Sequence, residues 1–250
     1  MKLARFTHRG ATLAGEVIDA ATVRTPNGSR VALADVTLLT PCLPSKIICV
    51  GRNYAGHANE PHNTVPDQPL LFLKPPSAAI PSGAEIEYPP YSNFLHFEGE
   101  LAIVVARRCK NVRAYEAEKV MLGYTAINDI TARDAQREES QWTRGKCFDT
   151  SAPLGPWIET DLDLLDVPVR TYVNGELRQD GSTRDLVFRV PHLVAHASRV
   201  MTLEPGDVIA TGTPAGVGEL RVGDTVEVEV GDAGRLSNRV VHGDDAQRID

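Results

Sequence analysis

Short runs of apolar and β-branched residues, bounded by Pro, Gly and Asn, recur along most of this chain. Such runs predict strands, because β-branched side chains suit a pleated backbone and the flanking residues favour turns. The predicted strands are 46–51, 70–74, 85–88, 98–106, 123–130, 155–159, 169–173, 176–178, 207–211 and 225–230. Helical spacing is found at 114–121, 131–139 and 191–201. Because strands outnumber helices and do not alternate with them regularly, the sequence argues against a doubly wound or (β/α)₈ fold and predicts a mixed, β-rich fold with a few short helices.

The first 43 residues have a pattern of their own, with short runs broken by turn signals. Pro26-Asn27-Gly28-Ser29 predicts a hairpin loop between 16–23 and 30–33. Pro41 and Pro44 then indicate a linker. We therefore predict a small N-terminal β extension at 1–43 and one larger domain at 44–250. The chain is long enough for that domain to bury a sizeable core.

The charge balance excludes several classes of partner. The net charge is -7, and the chain has no run of Lys and Arg, so nucleic acid and anionic membrane are not expected to bind. There is no apolar window of ~18 residues that would cross a membrane. The four cysteines form no C-x-x-C pair and no zinc spacing, which predicts reduced thiols. These features predict a cytoplasmic protein.

Three acidic residues are the strongest candidates for chemistry. Glu98 and Glu100 lie two apart beside the apolar stretch 101–105, and Asp129 follows Asn128. Side chains alternate across a strand, so both glutamates would share one face. Oxygen ligands without cysteine suit a hard cation such as Mg²⁺, Mn²⁺ or Ca²⁺. The alternative is that the glutamates form the wet face of a strand and that Asp129 starts a turn.

His57 and Glu60 have the spacing of neighbours on a helical turn, so the carboxylate could orient the imidazole. This arrangement suits a general base that acts on water. The alternative is an exposed histidine with an incidental glutamate beside it.

Several cationic residues are candidates for binding an anionic substrate: Arg52, Lys74, Arg133 and Lys146. Lys146 lies in a stretch that resembles a loop, where the alternative is a solvated side chain. The stretch 211–218 (TGTPAGVG) matches neither nucleotide-binding glycine motif, although its amides and Thr213 could face a small anion. His192 and His196 have helical spacing, but their apolar neighbours favour packing in a core over metal binding.

Six motifs, taken together in this order, resemble the fumarylacetoacetate hydrolase family over roughly 45–240. They are 51–60 (GRNYAGHANE), 72–77 (FLKPPS), 98–105 (EGELAIVV), 123–134 (GYTAINDITARD), 146–156 (KCFDTSAPLGP) and 205–218 (PGDVIATGTPAGVG). The resemblance implies a mixed β-roll, a homodimer, and a divalent metal, Mg²⁺ or Mn²⁺, at one end of the roll.

The resemblance also implies roles for individual residues. Glu98, Glu100 and Asp129 would bind the metal, and His57 with Glu60 would position or deprotonate water. Lys146 would act in catalysis near the oxo-carboxylate end of the substrate. The remaining expected substrate contacts are Arg52, Tyr54, Lys74, Arg133, Gln136 and Thr213.

A site of this kind stabilises the enolate of a 2-oxo acid. We expect hydrolysis of a C–C bond or decarboxylation, as in acylpyruvate hydrolases and oxaloacetate decarboxylases. One alternative is isomerisation of 2-hydroxyhepta-2,4-diene-1,7-dioate, or decarboxylation of 5-carboxymethyl-2-oxo-hex-3-ene-1,7-dioate, in aromatic catabolism. Another is a non-catalytic protein that binds 2-oxo acids. Specificity is expected from 59–70 and 174–185, which do not identify a substrate.

Overall fold

A computed structural model describes residues 1–55 and 66–243. Over these residues the chain is rich in strands, as the sequence predicted. The strands are Lys2–His8 (β1), Ala11–Asp19 (β2), Thr22–Arg24 (β3), Arg30–Ala32 (β4), Thr37–Leu38 (β5), Ile47–Gly51 (β6), Leu70–Lys74 (β7), Ala79–Ile80 (β8), Glu85–Tyr88 (β9), Leu95–Phe97 (β10), Gly99–Val105 (β11), Met121–Asn128 (β12), Thr131–Ala132 (β13), Ala152–Glu159 (β14), Pro168–Val173 (β15), Glu176–Ser182 (β16), Val208–Ala210 (β17), Gly218–Leu220 (β18), Thr225–Val230 (β19) and Gly234–His242 (β20).

The helices are short. The α-helices are Arg133–Glu138 (α1), Thr143–Lys146 (α2) and Val190–Val200 (α3), and the 3₁₀ helices are Leu33–Asp35, Pro76–Ala78, Ala114–Val120, Thr183–Asp185 and Gly231–Ala233. The helix predicted at 191–201 is confirmed, with Pro191 in its first turn, where the missing amide hydrogen costs nothing. In the described part of the chain, no helix is long and apolar enough to cross a membrane.

A twelve-stranded sheet forms one layer of the molecule. Ten strands run in the order β4-β3-β2-β1-β14-β12-β11-β17-β6-β7, with β5 on β1 and β8 on β14. Strand β11 is buried along its whole length because strands flank it on both sides and side chains cover both its faces. The N-terminal residues join this sheet directly, since β1 pairs with β14. The division into domains at 1–43 and 44–250 stays a prediction.

A second sheet, β16-β15-β19-β20-β9, packs against the first. Alternate valines of β19 point inward, which is the pattern that predicted this strand. Val228 and Val230 share a core with Leu101 and Ile103 of β11. A small third sheet, β13-β10-β18, lies beside the acidic residues described below.

Several local predictions were confirmed and others were wrong. Asn174 and Gly175 connect β15 to β16 with φ values of 52° and 81°, as a two-residue hairpin requires. The strand predicted at 16–23 is instead two strands, because the Asp19 carboxylate accepts a hydrogen bond from the Ala21 amide and the chain turns there. Strand β20 was missed because its inward face includes the polar Asn238.

Candidate active site

Pairing of β11 with β12 brings the three acidic residues together. Gly99 lies opposite Asn128 in this pair, so Glu98 and Asp129 meet where the two strands end. The Asp129 amide donates to the Glu98 carbonyl oxygen at 2.8 Å. One carboxylate oxygen from each of Glu98, Glu100 and Asp129 lies within 4.8 Å of the others. All three residues are buried, so the alternative of a wet strand face was wrong.

The donor set fits a divalent cation. All three groups offer carboxylate oxygens, which Mg²⁺ and Mn²⁺ prefer. Oδ1 of Asp129 is buried and accepts no hydrogen bond. Buried carboxylate oxygens normally accept hydrogen bonds, so an oxygen that accepts none, and whose charged neighbour is the Lys74 ammonium at 2.9 Å, is available to bind a cation. The amide nitrogen of Asn128 and the hydroxyl of Tyr54 are also buried without a hydrogen-bond partner.

Lys146 ends α2 and points into the cluster. Its ammonium donates to Glu98 Oε2 at 2.8 Å and to Asp129 Oδ2 at 2.6 Å. Burial alone would lower the pKa of Lys146, but the charges of Asp129 and Glu98 raise it above its ordinary value. The stretch predicted as a loop therefore contains a short helix, and its lysine is a buried, charged part of the site.

Lys74, an expected substrate contact, is already bonded within the chain, and its contact with substrate stays a prediction. Its ammonium is fully buried and donates to the carbonyl oxygens of Ile130, Lys146 and Ser151 at 2.6–3.0 Å. These bonds use all three of its hydrogens, so its 2.9 Å contact with Asp129 Oδ1 is Coulombic rather than a hydrogen bond. Lys74 is a buried cation that holds the loops of the site in position.

Arg133 and Gln136 lie on one side of helix α1, three residues apart. The Arg133 guanidinium donates to Glu98 Oε1 and, at 2.6 Å, to the side-chain oxygen of Gln136. Burial would raise the pKa of Glu98, yet the charges of Lys146 and Arg133 hold it well below its ordinary value. Both residues are therefore beside the acidic cluster. Their contact with substrate stays a prediction.

Glu100 differs from Glu98 in its surroundings. Its Oε2 accepts a 2.7 Å hydrogen bond from the Gly212 amide, and no cationic side chain in the described residues bonds to it. Burial, followed by the charges of Asp129 and Glu98, raises the pKa of Glu100 well above its ordinary value. A divalent cation would supply the positive charge that this carboxylate lacks.

The loop after β17 is hydrogen-bonded to the backbone between Glu98 and Glu100. The Thr213 hydroxyl donates to the Gly99 carbonyl oxygen at 2.9 Å and accepts from the side-chain nitrogen of Gln179 at 2.7 Å. Its one hydrogen is thus already donated within the chain. The predicted contact of Thr213 with a substrate carboxylate remains a prediction.

Gln179 is a residue that the sequence did not single out. Its side-chain oxygen accepts from the Gly99 amide and the Thr171 hydroxyl, and its nitrogen also donates to the Pro214 carbonyl oxygen. It therefore fixes the residue between the two glutamates. Strand β16 continues beyond the predicted 176–178 and places Gln179 inward, where a polar side chain needs a buried partner.

The other predicted site residues differ in how far they are buried. Tyr54 is buried, and burial together with the charge of Glu100 raises the pKa of its phenol. Arg52 is exposed and has a φ of 58°. His57 and Glu60 lie outside the described residues.

His96, which the sequence did not single out, is buried, and neither of its ring nitrogens has a hydrogen-bond partner. Burial and the charge of Arg133 lower the pKa of His96 to about 4.

Comparison with known proteins gives a consistent result. Residues 46–241 match the family described as fumarylacetoacetate (FAA) hydrolase C-terminal. Mitochondrial oxaloacetate tautomerase FAHD1 of Bos taurus is 41% identical over 197 residues, 76% of this chain and 88% of that protein.

Two solved structures have the same fold. The 5-carboxymethyl-2-hydroxymuconate delta-isomerase of Mycobacterium smegmatis is 45% identical with a TM-score of 0.92, covering 98% of this chain and 100% of that one. The maleylpyruvate hydrolase of Sphingobium sp. SYK-6, in complex with manganese(II) and pyruvate, is 32% identical with a TM-score of 0.83 and the same coverage.

Proposed function

Because this chain belongs to the fumarylacetoacetate hydrolase family, we propose that it is a divalent-metal-dependent enzyme that acts on small 2-oxo acids through an enolate. One observation carries the proposal: three buried carboxylates converge with the ammonium of Lys146. When bound there, the cation would act as a Lewis acid on the oxygen that gains negative charge.

Residues of the chain would bind the cation, stabilise the enolate and transfer protons. Glu98, Glu100 and Asp129 would hold the cation, and Lys146 would present a fixed positive charge to the developing enolate oxygen. Such a preorganised charge in a buried site is worth more than in water. Arg133 lies beside Glu98, so its guanidinium could also be shared with the substrate carboxylate. His57 and Glu60 would handle the proton of a water molecule.

The favoured outcome is cleavage of a C–C bond beside the ketone, by hydrolysis of an acylpyruvate or by decarboxylation of oxaloacetate. In hydrolysis, water adds to the distal carbonyl carbon and the C–C bond then breaks. Its electron pair becomes the enolate of pyruvate, which takes up a proton. The distal part of the substrate leaves as a carboxylic acid.

A second candidate is a proton shift through the same enolate. It is supported by the names of two relatives, one an oxaloacetate tautomerase and the other a delta-isomerase. The isomerase alternative on 2-hydroxyhepta-2,4-diene-1,7-dioate belongs to this class. A proton shift needs the enolate and a group that carries the proton, but it consumes no water.

The metal, the assembly and the location are parts of the same proposal. We favour Mg²⁺ or Mn²⁺, the latter supported by the manganese-bound relative. A cytoplasmic homodimer is proposed from family membership. Light scattering of the purified protein would test the dimer.

The deciding experiment supplies Mg²⁺ or Mn²⁺ and follows acetylpyruvate, oxaloacetate and the dienoate by pyruvate release and ultraviolet absorbance. We expect metal-dependent turnover of at least one substrate, abolished by chelation. His57→Ala should stop hydrolysis, which needs an activated water molecule, and turnover that survives the substitution with every substrate would contradict this role of His57. Activity that persists after thorough chelation would contradict the metal assignment. Metal-dependent binding of oxalate without any turnover would favour a non-catalytic binding protein.

A further inference from the structure

A cavity of about 480 Å³ opens beside the catalytic lysine, at the edge formed by strand β7. Its walls are residues 70–73 on one side and 140–143 with Cys147 on the other. The volume falls within the range of pockets that hold small ligands.

Phe72 is shared by the cavity and the candidate active site. The Lys146 ammonium lies 5.0 Å from the centre of the Phe72 ring, and the same ring meets Trp142 edge-on at 5.2 Å. The second wall also lies between two site residues in the sequence, because Gln136 precedes Ser140 by four positions and Lys146 directly precedes Cys147. A molecule whose charged end is held at Lys146 would therefore extend over Phe72 towards Trp142.

The chemistry of the walls selects what can enter. Leucine, phenylalanine and tryptophan side chains dominate, with Ser140, Gln141, Thr143 and Cys147 as the polar remainder. Among the described residues that line the cavity, none carries a charge. A carboxylate placed here would lose its hydration without gaining a cationic partner, whereas an alkyl or planar unsaturated chain would lose only contact with water.

We propose that this cavity binds the carbon tail of the 2-oxo acid and selects substrates whose tail is uncharged. The proposal deepens the proposed function and rests on it for the placement of the oxo-carboxylate end. It favours acylpyruvates with an extended tail over substrates that carry a second carboxylate at the far end.

The test is a series of 2-oxo acids that lack a cleavable acyl group, from pyruvate to 2-oxohexanoate, bound in the presence of Mg²⁺. The chain has two tryptophans, so a Trp157→Phe background leaves Trp142 as the fluorescent reporter in the cavity wall. Burying one methylene is worth about fourfold in affinity, so the dissociation constant should fall by about that factor per carbon until the cavity is full. In contrast, 2-oxoglutarate should bind at least tenfold more weakly than 2-oxohexanoate.

Two variants locate the effect. Leu70 lines the cavity and is partly exposed, so Leu70→Trp should fill the space and abolish the gain with tail length while pyruvate still binds. Leu165, an exposed leucine that does not line the cavity, gives the control Leu165→Trp, which should leave the series unchanged.

The outcomes separate this proposal from the proposed function. Equal affinity along the series, or 2-oxoglutarate binding as tightly as 2-oxohexanoate, would overturn the tail site even in an active enzyme. A rising series lost in Leu70→Trp, in a protein that turns over no 2-oxo acid, would support the tail site and reject the enzymatic proposal.

Discussion

The Gly212 amide donates a 2.7 Å hydrogen bond to Oε2 of Glu100. Gly212 has a φ of 97°, and a Cβ built there would lie 2.9 Å from the Asn53 Cβ. The glycine is therefore needed both for the turn and for the close approach of the chain. The glycine-rich loop, which fits no nucleotide motif, acts here as a backbone donor to a candidate metal ligand.

Gly212→Ala should accordingly damage the site and the fold together. The strained φ and the clash should cost about 1–3 kcal/mol of unfolding free energy. The displaced amide should also weaken binding of Mn²⁺. Urea unfolding and calorimetric titration would measure the two effects. Gly175→Ala is a matched control, because Gly175 also has a positive φ, of 81°, but is exposed, and a Cβ built there would meet no atom within 4 Å. An unchanged metal affinity in Gly212→Ala would contradict the assigned role.

Glu100 makes the stability of the protein depend on pH when chelator is present. Its pKa is raised in the folded state by burial and by neighbouring carboxylates. Its contribution is therefore fully present below the unfolded pKa of about 4.5 and is lost as pH rises through the folded pKa.

Glu100→Gln removes this titration, so the stability of the variant relative to wild type should increase as pH rises. Melting temperatures with chelator from acid to alkaline pH would measure the difference. The same variant should lose metal binding. A stability of the variant relative to wild type that falls as pH rises would refute this prediction.

Substitution of Lys74 should affect mainly the stability of the protein, whereas substitution of Lys146 should affect mainly the rate of the reaction. Lys74→Met leaves three carbonyl oxygens and Asp129 without their buried cation, and we expect a loss of about 3–5 kcal/mol. Lys146→Met should also lower stability, but its diagnostic effect is a fall in kcat of about 10²–10³-fold. Equilibrium unfolding and steady-state kinetics would measure both variants, with exposed Lys110→Met as the control. If Lys146→Met kept full kcat, the lysine would have no part in catalysis.

Gln179→Leu should weaken the metal site without touching a ligand. The substitution removes four buried hydrogen bonds and should cost about 2–4 kcal/mol. Loss of the support at Gly99 should lower metal affinity by about 10–100-fold.

Asp207→Asn provides a control that destabilises a different place. Asp207 accepts hydrogen bonds from the amides of Ser45, Lys46 and Glu204, away from the carboxylate cluster. It should lower the melting temperature and leave metal affinity unchanged. Equal losses of metal affinity in both variants would mean that Gln179 acts only through overall stability.

The sequence predicted what is local. The alternation of valines with polar residues predicted β19, and the Asn174-Gly175 pair predicted the hairpin between β15 and β16. The ordered motifs predicted the acidic residues of the site. It could not predict how far each charged group would be buried, because that depends on loops distant in the chain. Lys74 and Lys146 look alike in the sequence, yet one is fully used by carbonyl oxygens while the other faces the carboxylates. Gln179 was missed because a single polar residue in a short strand carries no pattern.

Strand β17 lies between β6 and β11, although it follows both by about a hundred residues or more. During synthesis, therefore, one edge of β6 and one edge of β11 stay unpaired until a segment about a hundred residues or more further along the chain has been made. Contacts so distant in sequence form slowly, and unpaired edges invite association with other chains. Nascent chains that stop before residue 208 would be unable to close this sheet, and they are the species that we expect a cell's chaperones to hold.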